Sequence, residues 1–264
     1  MHIMMNPMYR LPTFSLRFLP VWRRNFLVWR KLAIASVIGN IAEPLITLIA
    51  FGYGLGSLLK EINGIPYIEF LASGAISMSV MMAASFEALY SAFSRMHVQK
   101  TWESLLNTPL DLDDIILAEM LWAASKAMIS GLAILGVLFL LGIGLHSTTL
   151  LVPPMLFLVG VTFASIALVI NAIARGYDFF TYYFTLMLTP MLFMSGVYYP
   201  VSQLPTWLQA IAAILPLGAA VEVVRPLLLG ELPDSVLPNM LILLAYCFCA
   251  FYLATVITRR RLLK

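Results

Sequence analysis

The most restrictive feature of this sequence is a run of 43 residues, positions 179–221, without a single charged side chain. Such a run is long enough for two membrane spans of about 20 residues each. However, Pro200, Pro205 and Pro216 interrupt its second half, and each would break a regular helix. We therefore predict one complete span followed by a broken, re-entrant segment over residues 198–230. Protein or water must satisfy its backbone at membrane depth.

The overall composition also excludes a soluble domain, because 61% of the residues are hydrophobic and only 11% are charged. The net charge of +3 is small, and the basic residues fall in a few loops, where they indicate topology and lipid contact rather than binding of nucleic acid. Cys247 and Cys249 lie two residues apart in one apolar run, so on a helix they cannot form a disulfide with each other. One all-α polytopic membrane domain is predicted.

Six apolar runs predict six spans, and the basic residues between them indicate the orientation. If both termini are cytoplasmic, 13 of the 16 Lys and Arg residues fall in cytoplasmic segments, in agreement with the positive-inside rule. A seventh span would place the C-terminal basic cluster outside. The six-span domain is expected over residues 32–264, with spans at residues 32–55, 68–91, 115–145, 148–174, 179–199 and 237–258.

The segment before the first span, residues 14–31, has a helical pattern with two different faces. Phe18, Trp22, Phe26 and Trp29 fall on one side at 100° per residue, and the basic residues take the opposite arc. Residues 1–31 are therefore expected to form a cytoplasmic tail and an amphipathic helix at the membrane interface. The alternative is a plain anchor that only orients the first span.

Glu43 lies near the middle of the first span, where a carboxylate costs at least about 2.5 kcal/mol by insertion scales. Glu43 should therefore face protein or water, either as a residue of a translocation pathway or as a protonated or hydrogen-bonded side chain at the Pro44 kink.

Tyrosines provide aromatic faces with a polar tip, which suit a sugar-bearing amphiphile, although membrane-interface belts contain the same residues. The tyrosines assigned to this pathway are Tyr53, Tyr90, Tyr182 and Tyr183.

The loop at residues 94–114, between the second and third spans, is predicted to contain a short amphipathic helix. Val98, Trp102 and Leu105 share one face, and Glu103 is a polar neighbour. A surface with an aromatic anchor of this kind suits a helix-in-groove contact with another protein. A helix lying on the membrane surface is the alternative.

No catalytic or metal-binding pattern accompanies these features. The sequence has no Gly-x-x-x-x-Gly-Lys-Ser/Thr motif, and none of its five lysines follows a glycine, so the chain cannot form a phosphate-binding P-loop. His2, His97 and His146 lack metal-ligand spacing relative to one another and to the cysteines. We therefore predict that the chain is not an enzyme, binds no metal or cofactor, and depends on another subunit for energy.

The sequence of residues 195–230 resembles the segment before the last span in ABC transporter permeases of the type-2 export class. It reads SGVYYPVSQLPTWLQAIAAILPLGAAVEVVRPLLLG. With the cytoplasmic segment TWESLLNTPL, the chain is most similar to the membrane subunit of nodulation lipo-oligosaccharide exporters. The re-entrant residues that we single out within this resemblance are Pro200, Pro205, Pro216, Glu222 and Arg225.

This resemblance implies an exporter of the bacterial inner membrane that moves a lipid-linked or amphiphilic oligosaccharide out of the cytoplasm. Export of a drug or another hydrophobic molecule is the alternative, since the same architecture serves both. The expected partners are a second copy of the chain, two ABC-type ATPase subunits that bind ATP and Mg, and the lipid bilayer. The helix at residues 98–105 would dock on the ATPase with Trp102 as its exposed anchor. A membrane enzyme acting on lipids would instead need clustered ionisable residues at one membrane face.

Overall fold

The computed structural model describes residues 9–59 and 61–263. Its regular structure is helical apart from one hairpin of two strands, each two residues long. His2, Lys60 and Lys264 lie outside the described residues, as does most of the predicted N-terminal tail. The elements are α1 (Phe18–Trp29), α2 (Ala33–Gly54), β1 (Glu61–Ile62), β2 (Ile65–Pro66), α3 (Tyr67–Phe86), α4 (Thr101–Leu106), α5 (Leu112–Leu140), α6 (Val152–Ile173), α7 (Asp178–Tyr182), α8 (Thr189–Met194), α9 (Thr206–Ala212), α10 (Pro216–Leu229) and α11 (Val236–Leu262).

Five helical stretches are long and apolar enough to cross a membrane, and they correspond to the first, second, third, fourth and sixth predicted spans. The all-α polytopic fold is thereby confirmed. The stretches are Phe18–Gly54, Tyr67–Val98, Leu112–Leu140, Ser147–Ile173 and Val236–Leu262.

The fifth predicted span is helical from Asp178 to Met194, through α7, the π-helix Tyr183–Leu188 and α8. Its predicted end at residue 199 is wrong, because the helix stops five residues earlier. Gly196 has a φ of 72°, a left-handed conformation that glycine adopts readily and that ends a helix.

The segment that follows is broken, as the prolines predict. Helices α9 and α10 are bent by 82° at the short break between them. Pro205 immediately precedes α9, and Pro216 is the first residue of α10, a position where the fixed φ of proline favours the helix and its missing N–H is tolerated. The prolines thus start the two short helices as well as prevent one long helix.

The first helical stretch contains both the predicted interface helix and the first span, separated by a single 3-10 turn at Arg30–Leu32. Its 37 residues would extend about 55 Å at 1.5 Å per residue, well beyond a hydrocarbon core of about 30 Å. Part of this stretch must therefore lie outside the hydrocarbon core. That α1 lies along the membrane surface remains a prediction.

Helices α3, α5 and α6 form the centre of the bundle, and α11 covers the remaining side of α6. Close approach depends on small residues: a Cβ atom on Gly160 would lie 3.0 Å from the Cα of Ala124, and one on Gly131 would lie 2.7 Å from Val80 Cγ2. Such contacts between small residues are typical of membrane helices. In contrast, α2 is peripheral and buries only Pro44, Leu48 and Gly52.

Candidate coupling and translocation sites

A buried ionic cluster lies where the end of α3 meets α5. Arg95 donates from Nη2 to Glu87 Oε1 at 3.0 Å and from Nε to Glu119 Oε1 at 2.9 Å. Lys126 Nζ lies 2.8 Å from Glu87 Oε2. Both carboxylates are almost fully buried. We name Glu87, Arg95, Glu119 and Lys126 the ionic cluster.

Neutral donors complete the coordination of Glu87. Trp122 Nε1 donates to Oε1 at 2.8 Å, and Ser91 Oγ donates to Oε2 at 2.9 Å. Each carboxylate oxygen of Glu87 therefore accepts two hydrogen bonds. Buried charges with this degree of pairing join α3 and α5 firmly, since removing one partner leaves an uncompensated charge.

Two members of the ionic cluster, Glu87 and Arg95, lie in irregular helical segments. After α3 the chain continues through two π-helical segments, Glu87–Ser91 and Ser94–Val98. Asn171 of α6 donates from Nδ2 to Ala88 O at 2.8 Å and to Leu89 O at 3.4 Å, so a side chain satisfies carbonyls in the first of these segments. From these segments Arg95 reaches Glu119 on α5, and Glu87 reaches Trp122 and Lys126. Sequence reasoning missed this cluster, although Glu119 and Lys126 inside a predicted span were a signal that paired charges lay there.

The predicted exposed anchor Trp102 is buried. Only 2% of its surface is exposed, and its Nε1 donates to Glu119 Oε1 at 3.2 Å. The predicted common face is wrong because Lys100 adopts left-handed geometry, with a φ of 52°, and this interrupts the helical register before α4. Val98 is 65% exposed and Glu103 is exposed, whereas Leu105 packs partly against the core.

The far end of this loop is held by a cap at the start of α5. The backbone N–H of Asp111 donates to Asp114 Oδ2 at 3.1 Å within a complete capping box. Asp113 forms a buried ion pair with Arg259 of α11, whose Nε donates to Asp113 Oδ1 at 2.9 Å.

The N-terminal segment, residues 9–17, lies across this junction. Thr13 donates from its backbone N–H to Asp113 Oδ2 at 2.9 Å, and Ser15 donates from Oγ to Asp114 Oδ1 at 2.7 Å. Arg259 also donates to the carbonyl of Arg10. The end of the loop, the C-terminal helix and the segment before α1 are consequently joined.

Glu43 lies on the outer side of α2, where it is exposed. Together with Asn40 it lines a cavity of about 270 Å³ that continues along α3 past Met78 and Phe86. Asn40 donates from Nδ2 to Ser130 Oγ at 2.8 Å. The cavity therefore combines an acidic side chain with the polar Asn40 and Ser79 and with apolar side chains.

The four predicted pathway tyrosines are not gathered at this cavity. Tyr90 comes nearest, because its ring stacks on Phe86 with centroids 5.3 Å apart, and Phe86 lines the cavity. Tyr183 is buried, with its Oη 3.3 Å from Ser85 Oγ, whereas Tyr53 and Tyr182 are exposed. A pathway role for the tyrosines remains a prediction.

Arg225 attaches the broken segment to the rest of the bundle. Its Nη2 donates to Gly196 O at 2.7 Å and to Phe70 O at 3.3 Å, and its Nε donates to Ser73 Oγ at 2.9 Å. The guanidinium carbon lies 3.8 Å from the centre of the Phe70 ring, a cation–π contact. Glu222 is exposed and accepts a hydrogen bond from Asn239 at 3.1 Å.

The remaining predicted re-entrant residue, Pro200, precedes the 3-10 turn Val201–Gln203. Among the described residues no group of three or more His, Cys, Asp and Glu could hold a metal ion. The bundle combines ionic cross-links at one end with a cavity that contains Glu43, and ionisable residues inside a membrane bundle commonly mark substrate or ion pathways.

Comparison with known proteins gives the family. Residues 17–229 match the family described as "ABC-2 type transporter", and the chain belongs to that family. It is 43% identical over 254 residues to Nodulation protein J of Sinorhizobium fredii (strain NBRC 101917 / NGR234), covering 96% of this chain and 97% of the relative. Identity to Nodulation protein J of Rhizobium meliloti (strain 1021) is 42% over 253 residues, with 96% and 97% covered.

A more distant relative is the Inner membrane transport permease YadH of Escherichia coli (strain K12), which is 25% identical over 234 residues, 88% of this chain and 90% of the relative. The resemblance inferred from residues 195–230 is confirmed. The chain is the multi-pass membrane subunit of an ABC-2 type transporter.

Proposed function

We propose that this subunit exports a lipid-linked or amphiphilic oligosaccharide from the cytoplasm across a bacterial inner membrane. The observation that carries the proposal is the identity of 43% to a protein named Nodulation protein J over nearly the full length of both chains. Both termini are cytoplasmic in this proposal, consistent with the distribution of Lys and Arg residues.

Energy is supplied by two ABC-type ATPase subunits that bind ATP and Mg, because the sequence has no P-loop of its own. They contact the exposed side of the 94–114 loop, which includes Val98 and Glu103. Trp102 acts behind this surface: it contacts Glu119 and therefore connects the loop to α5. Displacement of α4 would reach α5 and α3 through the ionic cluster.

The substrate passes along the side of α2 that carries Glu43. This helix buries few of its side chains, and an exposed carboxylate near the middle of a span is costly in lipid. A second copy of the chain facing α2 would enclose the Glu43 cavity and place the carboxylate beside water and polar substrate groups. Tyr90 contributes an aromatic face near the same cavity.

The test is ATP-dependent uptake into inside-out vesicles containing the chain and its ATPase. A fluorescent acylated oligosaccharide is compared with the same acyl chain lacking the sugar. Accumulation of the glycosylated probe alone is expected, and Glu43→Gln should reduce it without loss of ATPase copurification. Equal uptake of both probes, or uptake only of an apolar dye, would favour a hydrophobic-molecule exporter and contradict the oligosaccharide assignment.

A further inference from the structure

A second cavity, of about 250 Å³, lies between α1 and the ionic cluster. From α1 it is lined by Arg24, Asn25 and Trp29, and from the cluster by Arg95 and Lys126. Val28 and Leu32 also border it, and these two apolar side chains are 58% and 70% exposed. The cavity therefore combines a polar interior with an apolar margin on the outer side of α1.

Two buried donors at this cavity have no hydrogen-bond partner among the described residues. They are Asn25 Nδ2 and Trp29 Nε1. Asn25 is only 3% exposed, and its Oδ1 accepts a hydrogen bond from Arg24 Nη1 at 3.0 Å, which fixes the direction of the amide. Buried donors are nearly always paired in folded proteins. Their presence side by side on α1 points to an acceptor that comes from outside the chain.

The charges around the cavity favour an anionic acceptor. Glu87 also lines it, but both of its oxygens already accept two hydrogen bonds each. Arg24 forms no ion pair within the described part of the chain: its guanidinium contacts only the Asn25 amide and Thr101 Oγ1, the latter at 3.5 Å. Arg24 therefore remains available to pair with a bound anion.

We propose that the cavity between α1 and the ionic cluster binds a phosphate-bearing group, supplied by the headgroup of an anionic membrane lipid. Phosphate offers several strong acceptor oxygens to the guanidinium of Arg24 and to the two unpaired donors. The exposed apolar margin at Val28 and Leu32 favours a lipid over a soluble phosphate, because acyl chains can cover those side chains. This site is separate from the Glu43 cavity and does not depend on the transported substrate.

Retention of lipid by the full-length chain tests the proposal. The protein, purified in detergent, is incubated with phosphatidylglycerol, phosphatidylcholine or inorganic phosphate, and bound molecules are counted by native mass spectrometry. Arg24→Gln, Asn25→Leu and Trp29→Phe are compared with Arg23→Gln. Arg23 is the matched control because it is the neighbouring cation, is exposed, and does not line this cavity.

Preferential retention of phosphatidylglycerol by the parent chain and by Arg23→Gln is expected. Each cavity variant should weaken retention by about tenfold, the effect of losing one hydrogen bond to a charged group. Retention of inorganic phosphate that is lost in the same variants would support the phosphate site but assign it to a soluble ligand. Equal retention of both lipids, or equal weakening by Arg23→Gln and Arg24→Gln, would overturn the proposal. Trp29→Phe keeps an aromatic side chain that is smaller than indole, so its effect combines loss of the donor with a partial loss of packing.

Discussion

The two ends of the bundle are held together in different ways. At the end that carries the 94–114 loop, several charged side chains are buried in mutual contact, and they join α3, α5 and α11. At the other end, the broken segment is held by Arg225, whose described partners are carbonyls, a hydroxyl and an aromatic ring. The loop end is cross-linked by ion pairs, whereas the described polar contacts of the broken segment are hydrogen bonds and a cation–π contact.

The comparison indicates which end can transmit force. An ionic cross-link between two helices resists separation strongly because each partner would be left as an unpaired buried charge. Arg225 leaves only neutral acceptors behind if it is withdrawn, so its polar contacts require less free energy to break than the ion pairs of the loop end. We expect the loop end to move as one unit and the broken segment to yield.

The largest decrease in the free energy of unfolding is expected from Arg95→Met, at the loop end. The change leaves Glu119 buried without a cation and should lower the free energy of unfolding by about 3–5 kcal/mol. Thermal unfolding of the purified chain in detergent measures the effect. Adding Glu119→Gln should recover much of the loss, because the second change removes the stranded charge. Wild-type stability of Arg95→Met would show that the cluster does not hold the helices together.

A smaller effect is expected from Arg225→Leu at the other end. The carbonyl of Gly196 loses its donor, and a buried unpaired group costs about 1–3 kcal/mol, whereas Phe70 O still accepts a hydrogen bond from Ser73 Oγ. In a chain without its native cysteines, a Ser195→Cys reporter next to Gly196 should become reactive toward a membrane-impermeant thiol reagent. Glu222→Gln is the control, because Glu222 is exposed on the same helix. Loss of the whole fold in Arg225→Leu would contradict the local role.

Within the loop, Trp102→Phe tests whether Trp102 stabilises the fold while the exposed residues bind the ATPase. Phenylalanine keeps an aromatic side chain but is smaller than indole, so the hydrogen bond to Glu119 and some packing are both lost. We expect a decrease of at least about 1.5–3 kcal/mol in the free energy of unfolding. Val98→Ala and Glu103→Ala should leave stability unchanged while reducing copurification of the ATPase. A Trp102→Phe variant with parental stability but no bound ATPase would show that Trp102 contacts the partner directly.

The smallest effect is expected at Lys100, whose Nζ lies 3.8 Å from Glu103 Oε2 at the exposed surface. Lys100→Ala should change the free energy of unfolding by no more than about 0.5 kcal/mol, as is usual for exposed pairs. Unfolding measured at low and high salt should show the difference shrinking as salt increases. A large change that persists in high salt would mean that Lys100 is needed for its left-handed backbone conformation instead.

Five of the predicted spans and the broken segment could be located from the sequence. Hydropathy marks an apolar helix within a single stretch of the chain, and proline interrupts a helix at its own position. Sequence reasoning erred at the fifth span, where Gly196 ends the helix early, and at Trp102, where one residue with positive φ changed the direction of α4. Neither a single backbone torsion nor its consequences can be read from an apolar pattern.

The amino-acid sequence was sufficient to identify a polytopic helical membrane protein of the ABC-2 type. Apolar spans, the basic residues that indicate topology, and short sequence motifs can each be recognised in a continuous stretch of the chain. Only the tertiary structure decided which charges meet. Glu87, Arg95, Glu119 and Lys126 are spread over 40 positions of the sequence, and their contact depends on the packing of α3 and the segment after it against α5. The unpaired donors of Asn25 and Trp29 likewise become visible only after α1 packs on α5, because whether a polar group is satisfied depends on its neighbours in space.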